Sequence, residues 1–359
     1  MRINVTKTFL PPIDEYEKYV RQIWDNGLLT NQGPLLKQFE HEVSDYLQVD
    51  NLHFVANGTV ALQLALRSLD ILEGEIITTP FSYVATTSSI LWEKCKPVFV
   101  DIDPKTLCID PELIERAITP LTKAIMPVHV FGNPCDVDKI EAIAKKHNLK
   151  VIYDAAHAFG VVYKGKSLLD YGDISTCSFH ATKLFHTIEG GAVVAKNKSV
   201  SDKVELIKRF GHDGDDHKVL GINAKSNEFQ AAMGLVNLKY IKENINKRKK
   251  ITEIYDTIIS ENIRRPIVSD DTIQNYSYYP IILKNEAKLL TLIRKLNNNS
   301  IFPRRYFYPS LNTLPYIGDV SKCLHSEDIA NRILCLPLYA DLSSEDAERI
   351  ADIVKSLDI

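Results

Sequence analysis

No stretch of the 359-residue chain approaches the ~18 consecutive apolar residues that a membrane-spanning helix requires. The opening residues, Met1-Arg2-Ile3-Asn4-Val5-Thr6-Lys7, also lack the apolar core of a secretory signal. Cysteine is sparse. The six residues Cys95, Cys108, Cys135, Cys177, Cys323 and Cys335 form no C-x-x-C pair, so a disulfide framework is excluded. They read as reduced, packed thiols of a cytoplasmic protein. An excess of one charge is missing too: 43 Lys+Arg against 46 Asp+Glu leave a net charge of −3. With no basic block, a nucleic-acid binder held by phosphate contacts is not expected.

Several cofactor signatures are absent as well. No G-x-G-x-x-G follows a strand-like run, and there is no G-x-x-x-x-G-K-[ST] loop. No tyrosine has a lysine four positions on, which removes a common dehydrogenase pair. No H-E-x-x-H or Cys/His cluster points to a metal.

What remains is a globular composition, 45% hydrophobic and 25% charged, long enough for two or three domains. Apolar residues at helical spacing predict helices over 14–24 and 36–47. Short apolar runs then alternate with helical patterns. Strands are expected at 53–56, 75–79, 97–101, 124–130, 150–153, 174–178 and 192–195, and helices at 59–69, 85–93 and 137–147. This alternation predicts an α/β fold with a mainly parallel sheet covered on both faces. The basic run 242–250 reads as the exposed part of a long helix linking two domains. Beyond it, a strand at 277–283 and helices at 286–296 and 344–357 predict a smaller α+β domain. The division is placed at 1–245, with an N-terminal arm, and 246–359.

Three elements carry chemistry. Asn57-Gly58-Thr59 stands at a strand-to-helix turn, where glycine allows close backbone approach and free N–H groups favour an anion. The same residues also suit an ordinary helix cap. Asp154, in Asp154-Ala155-Ala156-His157-Ala158, ends an apolar run. A carboxylate there needs a partner. A protonated ring nitrogen would serve, with His157 against or beside the ring, but a helix cap and a core histidine are the plainer alternatives. Lys183, in Ser178-Phe179-His180-Ala181-Thr182-Lys183, follows another strand. It is suited to bonding an aldehyde, although a lone lysine is commonly a surface charge. Together these residues supply what pyridoxal 5′-phosphate (PLP) needs: a lysine, an acid, a phosphate cradle (Gly58, Thr59, Ser178) and an aromatic ring, Tyr83.

The sequence resembles the DegT/DnrJ/EryC1/StrS family of sugar-nucleotide aminotransferases. The stretches that carry the resemblance are those three, together with Pro80-Phe81-Ser82-Tyr83-Val84-Ala85-Thr86, Pro127-Val128-His129-Val130-Phe131-Gly132, Glu189-Gly190-Gly191, the segment 221–232 and the early segment 27–34. The resemblance implies PLP-dependent fold type I (aspartate-aminotransferase-like), with a homodimer sharing its active sites. It makes Lys183 the lysine joined to the cofactor and Asp154 the partner of its ring nitrogen. It assigns Gly58, Thr59 and Ser178 to the phosphate, Tyr83 to the ring face, and His157 to a place beside the ring. Asn223 would reach the phosphate of the neighbouring subunit. Arg305 and Tyr308 are expected at the nucleotide diphosphate, unless they form an ordinary basic turn with packed aromatics.

The sequence departs from the family at two points. Ile188 stands where glycine is common, and Ala224-Lys225 replaces an aromatic-Arg pair. The expected reaction moves an amino group from L-glutamate to a keto-sugar nucleotide. The segment 27–34 is closer to members that aminate carbon 4. The N-terminal Lys7-Thr8-Phe9-Leu10-Pro11-Pro12 is similar to members that make dTDP-4-amino-4,6-dideoxyglucose for bacterial O-antigen, which implies dTDP-4-keto-6-deoxy-D-glucose as the acceptor. The alternatives are amination at C-3 of a 3-keto sugar and, in another class, a PLP-binding regulator without turnover.

Overall fold

The computed structural model describes residues 2–259, 263–318 and 320–356. Its centre is a seven-stranded sheet. From one edge to the other the strands are Leu52–Val55, Gly191–Ala195, Ile174–Ser178, Lys150–Asp154, Thr122–Met126, Glu75–Thr78 and Lys96–Phe99. All pairings are parallel except those of Gly191–Ala195, which runs against both neighbours. Every residue of Leu52–Val55, Glu75–Thr78 and Gly191–Ala195 is buried, as expected where helices cover both faces.

The helices between the strands begin where side chains can take their free N–H groups. Asn57 accepts from Val60 N at the start of Gly58–Ser68, and Asp136 from Lys139 N at the start of Val137–His147. Gly33 allows the helix Pro34–Leu47 to be capped from elsewhere. The Glu228 carboxylate accepts from Leu35 N and Leu36 N, each at 2.9 Å, and a Cβ on Gly33 would lie 2.5 Å from that carboxyl. The segments 27–34 and 221–232, far apart in sequence, are thus locked together.

The helix Glu228–Ile258 has 31 residues and links the sheet domain to a second core. That core gathers Ile251, Tyr255, Ile281, Leu292, Leu334 and Ile350. Three features differ from the division read in the sequence. The N-terminal arm leaves the sheet domain: Ile3–Asn4 pairs with Ile301–Phe302, and Ile3 is buried in the second core. Conversely, Phe307, Ile329 and Ile333 return to pack on the first core. Within the run 242–250, Asn244 and Arg248 are buried rather than exposed. The helix lies between the two cores there, and the Arg248 guanidinium donates to the carbonyls of Ser277 (3.2 Å) and Leu338 (3.0 Å).

All six cysteines are free and buried. Among the described residues no helix is long and apolar enough to cross a membrane, and no group of three or more His, Cys, Asp or Glu could hold a metal ion.

Candidate active site

The parallel strands end along one edge of the sheet, and the turns that follow them converge there. This is the edge at which open α/β sheets bind ligands. Asp154 is the last residue of its strand and is buried. Its carboxylate accepts from Thr86 Oγ1 at 2.6 Å and from Ala156 N at 3.2 Å. Thr86 Oγ1 lies 2.7 Å from Ser82 Oγ, so a chain of hydroxyls runs into the acid. Among the described residues Asp154 has no ion-pair partner. Burial raises its pKa above the ordinary 3.8, against the opposing pull of Thr86, the Ala156 N–H and the charge of Lys183.

Lys183 answers from the neighbouring strand's turn. Burial lowers its pKa, while Asp154 pulls it up. Its Nζ lies 3.5 Å from the Tyr278 hydroxyl. His157 is buried with its pKa held well below 6.5, so the ring is neutral. Its Nδ1 accepts from Phe131 N at 3.2 Å, which places the ring proton on Nε2. The imidazole lies nearly parallel to Phe307, at 5.6 Å and 5°.

The candidate anion site follows from two close approaches. Asn57 takes the Val60 N–H with its side chain and the Ala61 N–H with its carbonyl. The N–H groups of Gly58 and Thr59 are left at the helix N-terminus, where the dipole favours negative charge. A Cβ on Gly58 would lie 3.0 Å from the Cβ of Ser178, so glycine lets that hydroxyl stand beside the helix end. A Cβ on Gly191 would lie 2.6 Å from the Asn57 backbone. This explains the second glycine of Glu189-Gly190-Gly191.

The structure therefore brings Asp154, His157, Lys183, Gly58 and Ser178 to one edge, with Thr59 exposed beside them. Tyr83 precedes the helix Val84–Trp92, is 61% exposed and is close enough to act on the Lys183 charge. Asn223 is exposed, bridged to Arg209, and follows Ile222 on a segment whose Ala224 carbonyl accepts from Ala56 N. Arg305 differs from the expectation. Its guanidinium donates to Glu286 Oε1 at 2.8 Å and to the Asn331 carbonyl at 3.2 Å, and it covers the Tyr308 ring at 3.5 Å. These contacts engage the cation in the fold, while Tyr308 remains 49% exposed. Sequence reasoning gave no individual role to Thr86, Phe131 or Tyr278. Thr86 stands one helical turn from Ser82 inside a stretch already singled out. Tyr278 comes from the second half of the chain, where nothing in its own stretch signals it.

Ile188 has φ +71° and is 44% exposed. A β-branched residue is strained in that left-handed region. The strain gives a physical reason for the glycine common at this position. Ile188→Gly should raise the unfolding midpoint by about 1 °C, from relief of ~1–2 kcal/mol of strain less the ~1 kcal/mol of entropy glycine loses on folding. Calorimetry of both proteins checks this; an unchanged or lower midpoint would show that the Ile188 side chain makes good the strain.

The residues of this site by themselves fit PLP. A buried carboxylate without a cation suits a protonated ring nitrogen, the amine beside it suits an aldehyde, and the open helix end suits a phosphate.

Comparison with known proteins places the chain among aminotransferases. A family model described as the DegT/DnrJ/EryC1/StrS aminotransferase family matches residues 13–355. A dTDP-4-amino-4,6-dideoxy-D-glucose transaminase of Shigella dysenteriae is 43% identical over 363 residues, covering 99% of each chain. The structure of DesI in the presence of its TDP-sugar product superposes with a TM-score of 0.92 at 30% identity, over 99% of this chain and 92% of that one. The structure of NtdA from Bacillus subtilis, with its bound cofactor PMP, has a TM-score of 0.88 at 30% identity, over 96% of this chain and 82% of that one.

Proposed function

Because the chain belongs to the DegT/DnrJ/EryC1/StrS aminotransferase family, we propose that it is a PLP-dependent transaminase of sugar nucleotides. In this reading it transfers the amino group of L-glutamate to C-4 of dTDP-4-keto-6-deoxy-D-glucose, giving dTDP-4-amino-4,6-dideoxy-D-glucose. The observation that carries the chemistry is the meeting at one sheet edge of the buried Asp154, with no salt-bridge partner among the described residues, and the half-buried Lys183, with its lowered pKa. The observation that carries the substrate is the 43% identity, over 99% of both chains, to a transaminase named for that product. Amination at C-3 and a regulator without turnover have no comparable support.

When bound, PLP supplies an aldehyde that takes up the donor's amine and a ring that accepts electrons from the donor's α-carbon. Asp154 holds the proton on the ring nitrogen, and its own carboxylate is oriented by Thr86 and the Ala156 N–H. Lys183 Nζ would take the proton from the α-carbon as general base and, as general acid, return it to the carbon on the far side of the donor nitrogen. Burial favours its neutral form, which readies it for the first role. Gly58 N–H, Thr59 N–H and the Ser178 hydroxyl would hold the phosphate, and Tyr83 and the neutral His157 would confine the ring. The acceptor then receives the amine through the same residues in reverse.

The test is direct. Protein, L-glutamate, PLP and dTDP-4-keto-6-deoxy-D-glucose are incubated and the product is examined by NMR. An amine on carbon 4 supports the reading, and an amine on carbon 3 or an unchanged sugar refutes it.

The same reading makes the active unit a homodimer. Its support on this chain is the set of exposed apolar residues Trp24, Leu28, Leu29, Phe210, Leu220 and Ile222 on the segments flanking Glu228 and Asn223. Asn223 then serves the partner's phosphate site, where its amide donates without adding charge. Asn223→Asp should be inactive, because a carboxylate would face the phosphate. Mixed with Lys183→Ala and allowed to exchange subunits, it should regain about a quarter of wild-type activity. Random exchange makes about half the dimers mixed, and each mixed dimer has one intact site. No recovery despite demonstrated exchange would place Asn223 in its own chain's site.

A further inference from the structure

The chemistry assigned to Lys183 asks one nitrogen to be a base and then an acid, so its neighbour must suit both forms. A carboxylate in contact with Nζ would lock the ammonium, and an apolar neighbour would strand it. A hydroxyl can donate to the amine and accept from the ammonium. Tyr278 brings such a hydroxyl, with its Oη 3.5 Å from Lys183 Nζ.

The rest of Tyr278 is held as a fixed support would be. Its ring meets the His157 ring edge-on at 4.9 Å and 65°, lies 5.4 Å from Phe131, and meets Tyr306 edge-on at 5.8 Å and 89°. The backbone before it is pinned to the site's own turn. Asn275 Nδ2 donates to the carbonyls of His157 and Phe159, each at 2.9 Å, and Asn275 Oδ1 accepts from Ser277 N at 3.1 Å. On the far side the Ser277 carbonyl accepts from the buried Arg248 guanidinium. A residue of the second half of the chain is thereby anchored to the carbonyl of His157, three positions beyond Asp154.

We propose that Tyr278 is a positioning residue for Lys183, its hydroxyl holding Nζ at the reacting edge in both protonation states. The proposal rests on the reading of Lys183 as the proton-moving group. Burial raises the Tyr278 pKa, so the phenol keeps its proton at neutral pH and can play both parts. The ionisable groups acting on Lys183 are Asp154, Cys177, Tyr306 and Tyr83, with His157 in turn acted on by the Lys183 charge, and those acting on Tyr278 are Cys335 and Arg248.

The test is Tyr278→Phe, which keeps the ring and its packing. In the full-length protein freed of cofactor, Lys183 is titrated by pH-dependent labelling with an amine reagent and mass spectrometry of its peptide. A hydrogen bond to the ammonium is stronger than one to the neutral amine, so its loss should lower the Lys183 midpoint by about half to one pH unit. In the loaded enzyme kcat should fall about 10-fold with KM for L-glutamate unchanged, and the isotope effect on α-deuterated glutamate should rise. A purely structural role would instead lower the unfolding midpoint and leave the Lys183 titration where it was. An unchanged titration midpoint overturns the proposal, whatever the rate. If the wild-type protein shows no glutamate reaction, the functional reading fails, and the titration still judges the contact.

Discussion

Lys183→Ala is expected to abolish amine transfer, lowering it by at least about 10³-fold, while leaving a folded protein that still takes up cofactor. The loss is large because one side chain serves twice, as the anchor for the aldehyde and as the group that moves the α-proton. General acid–base catalysis alone is worth about 10² to 10⁴. The proposed phosphate cradle of Gly58, Thr59 and Ser178 does not depend on Lys183, so non-covalent uptake should persist. A stopped-flow absorbance assay of the reaction with L-glutamate, at saturating cofactor, measures the rate. Equilibrium dialysis measures the uptake. Turnover at the wild-type rate would remove Lys183 from the mechanism. Added alkylamines offer a further check, since a small base entering the vacated space should restore part of the proton transfer.

Asp154→Asn should slow proton removal from L-glutamate by about 10³-fold, because the amide keeps the shape of the site but not the charge that holds the ring nitrogen protonated. The same substitution should make the cofactor-free protein more stable at neutral pH. Burial raises the folded-state pKa of Asp154 above 3.8. Between that value and the raised one, the folded chain binds more protons than the unfolded chain. Stability therefore falls as pH rises through that window, and the deficit is fully present above it. An uncharged amide carries no such deficit. The unfolding midpoint of the cofactor-free variant should exceed that of wild type at pH 7, and the gap should close as pH falls below 3.8. Saturating cofactor should reverse the order, since the bound ring nitrogen favours the charged acid. A cofactor-free variant less stable than wild type at pH 7 would mean that the carboxylate has a partner its burial does not reveal.

Much of this site was legible because its parts are local. Asn57-Gly58-Thr59, Asp154 and Lys183 each stand just after an apolar run, and the expected helix Val137–His147 and strand Ile174–Ser178 have those bounds in the structure. Ile188 was noticed as a departure, and its φ of +71° shows what the position demands of the backbone. The place of Arg305 was left between two readings, because a basic residue beside aromatics reads the same whether it faces a ligand or a neighbour. Only the fold sets it against Glu286 and the Asn331 carbonyl.

The sequence by itself determined the alternation of strands and helices, the turns that end them, and the residue types able to hold a phosphate, a ring nitrogen and an aldehyde. Those are properties of short windows, where periodicity, glycine and capping act within a few residues. The tertiary structure decided which of these groups meet, and what surrounds them. Thr86 reaches Asp154 across 68 positions, Tyr278 reaches Lys183 across 95, and Ile3 is buried in the second core beside Ile301. Such contacts arise from the order of strands in the sheet and from the packing of the second half of the chain back onto it. The pKa directions of Asp154 and Lys183 follow from that packing too, because desolvation belongs to the assembled interior and to no segment of the chain.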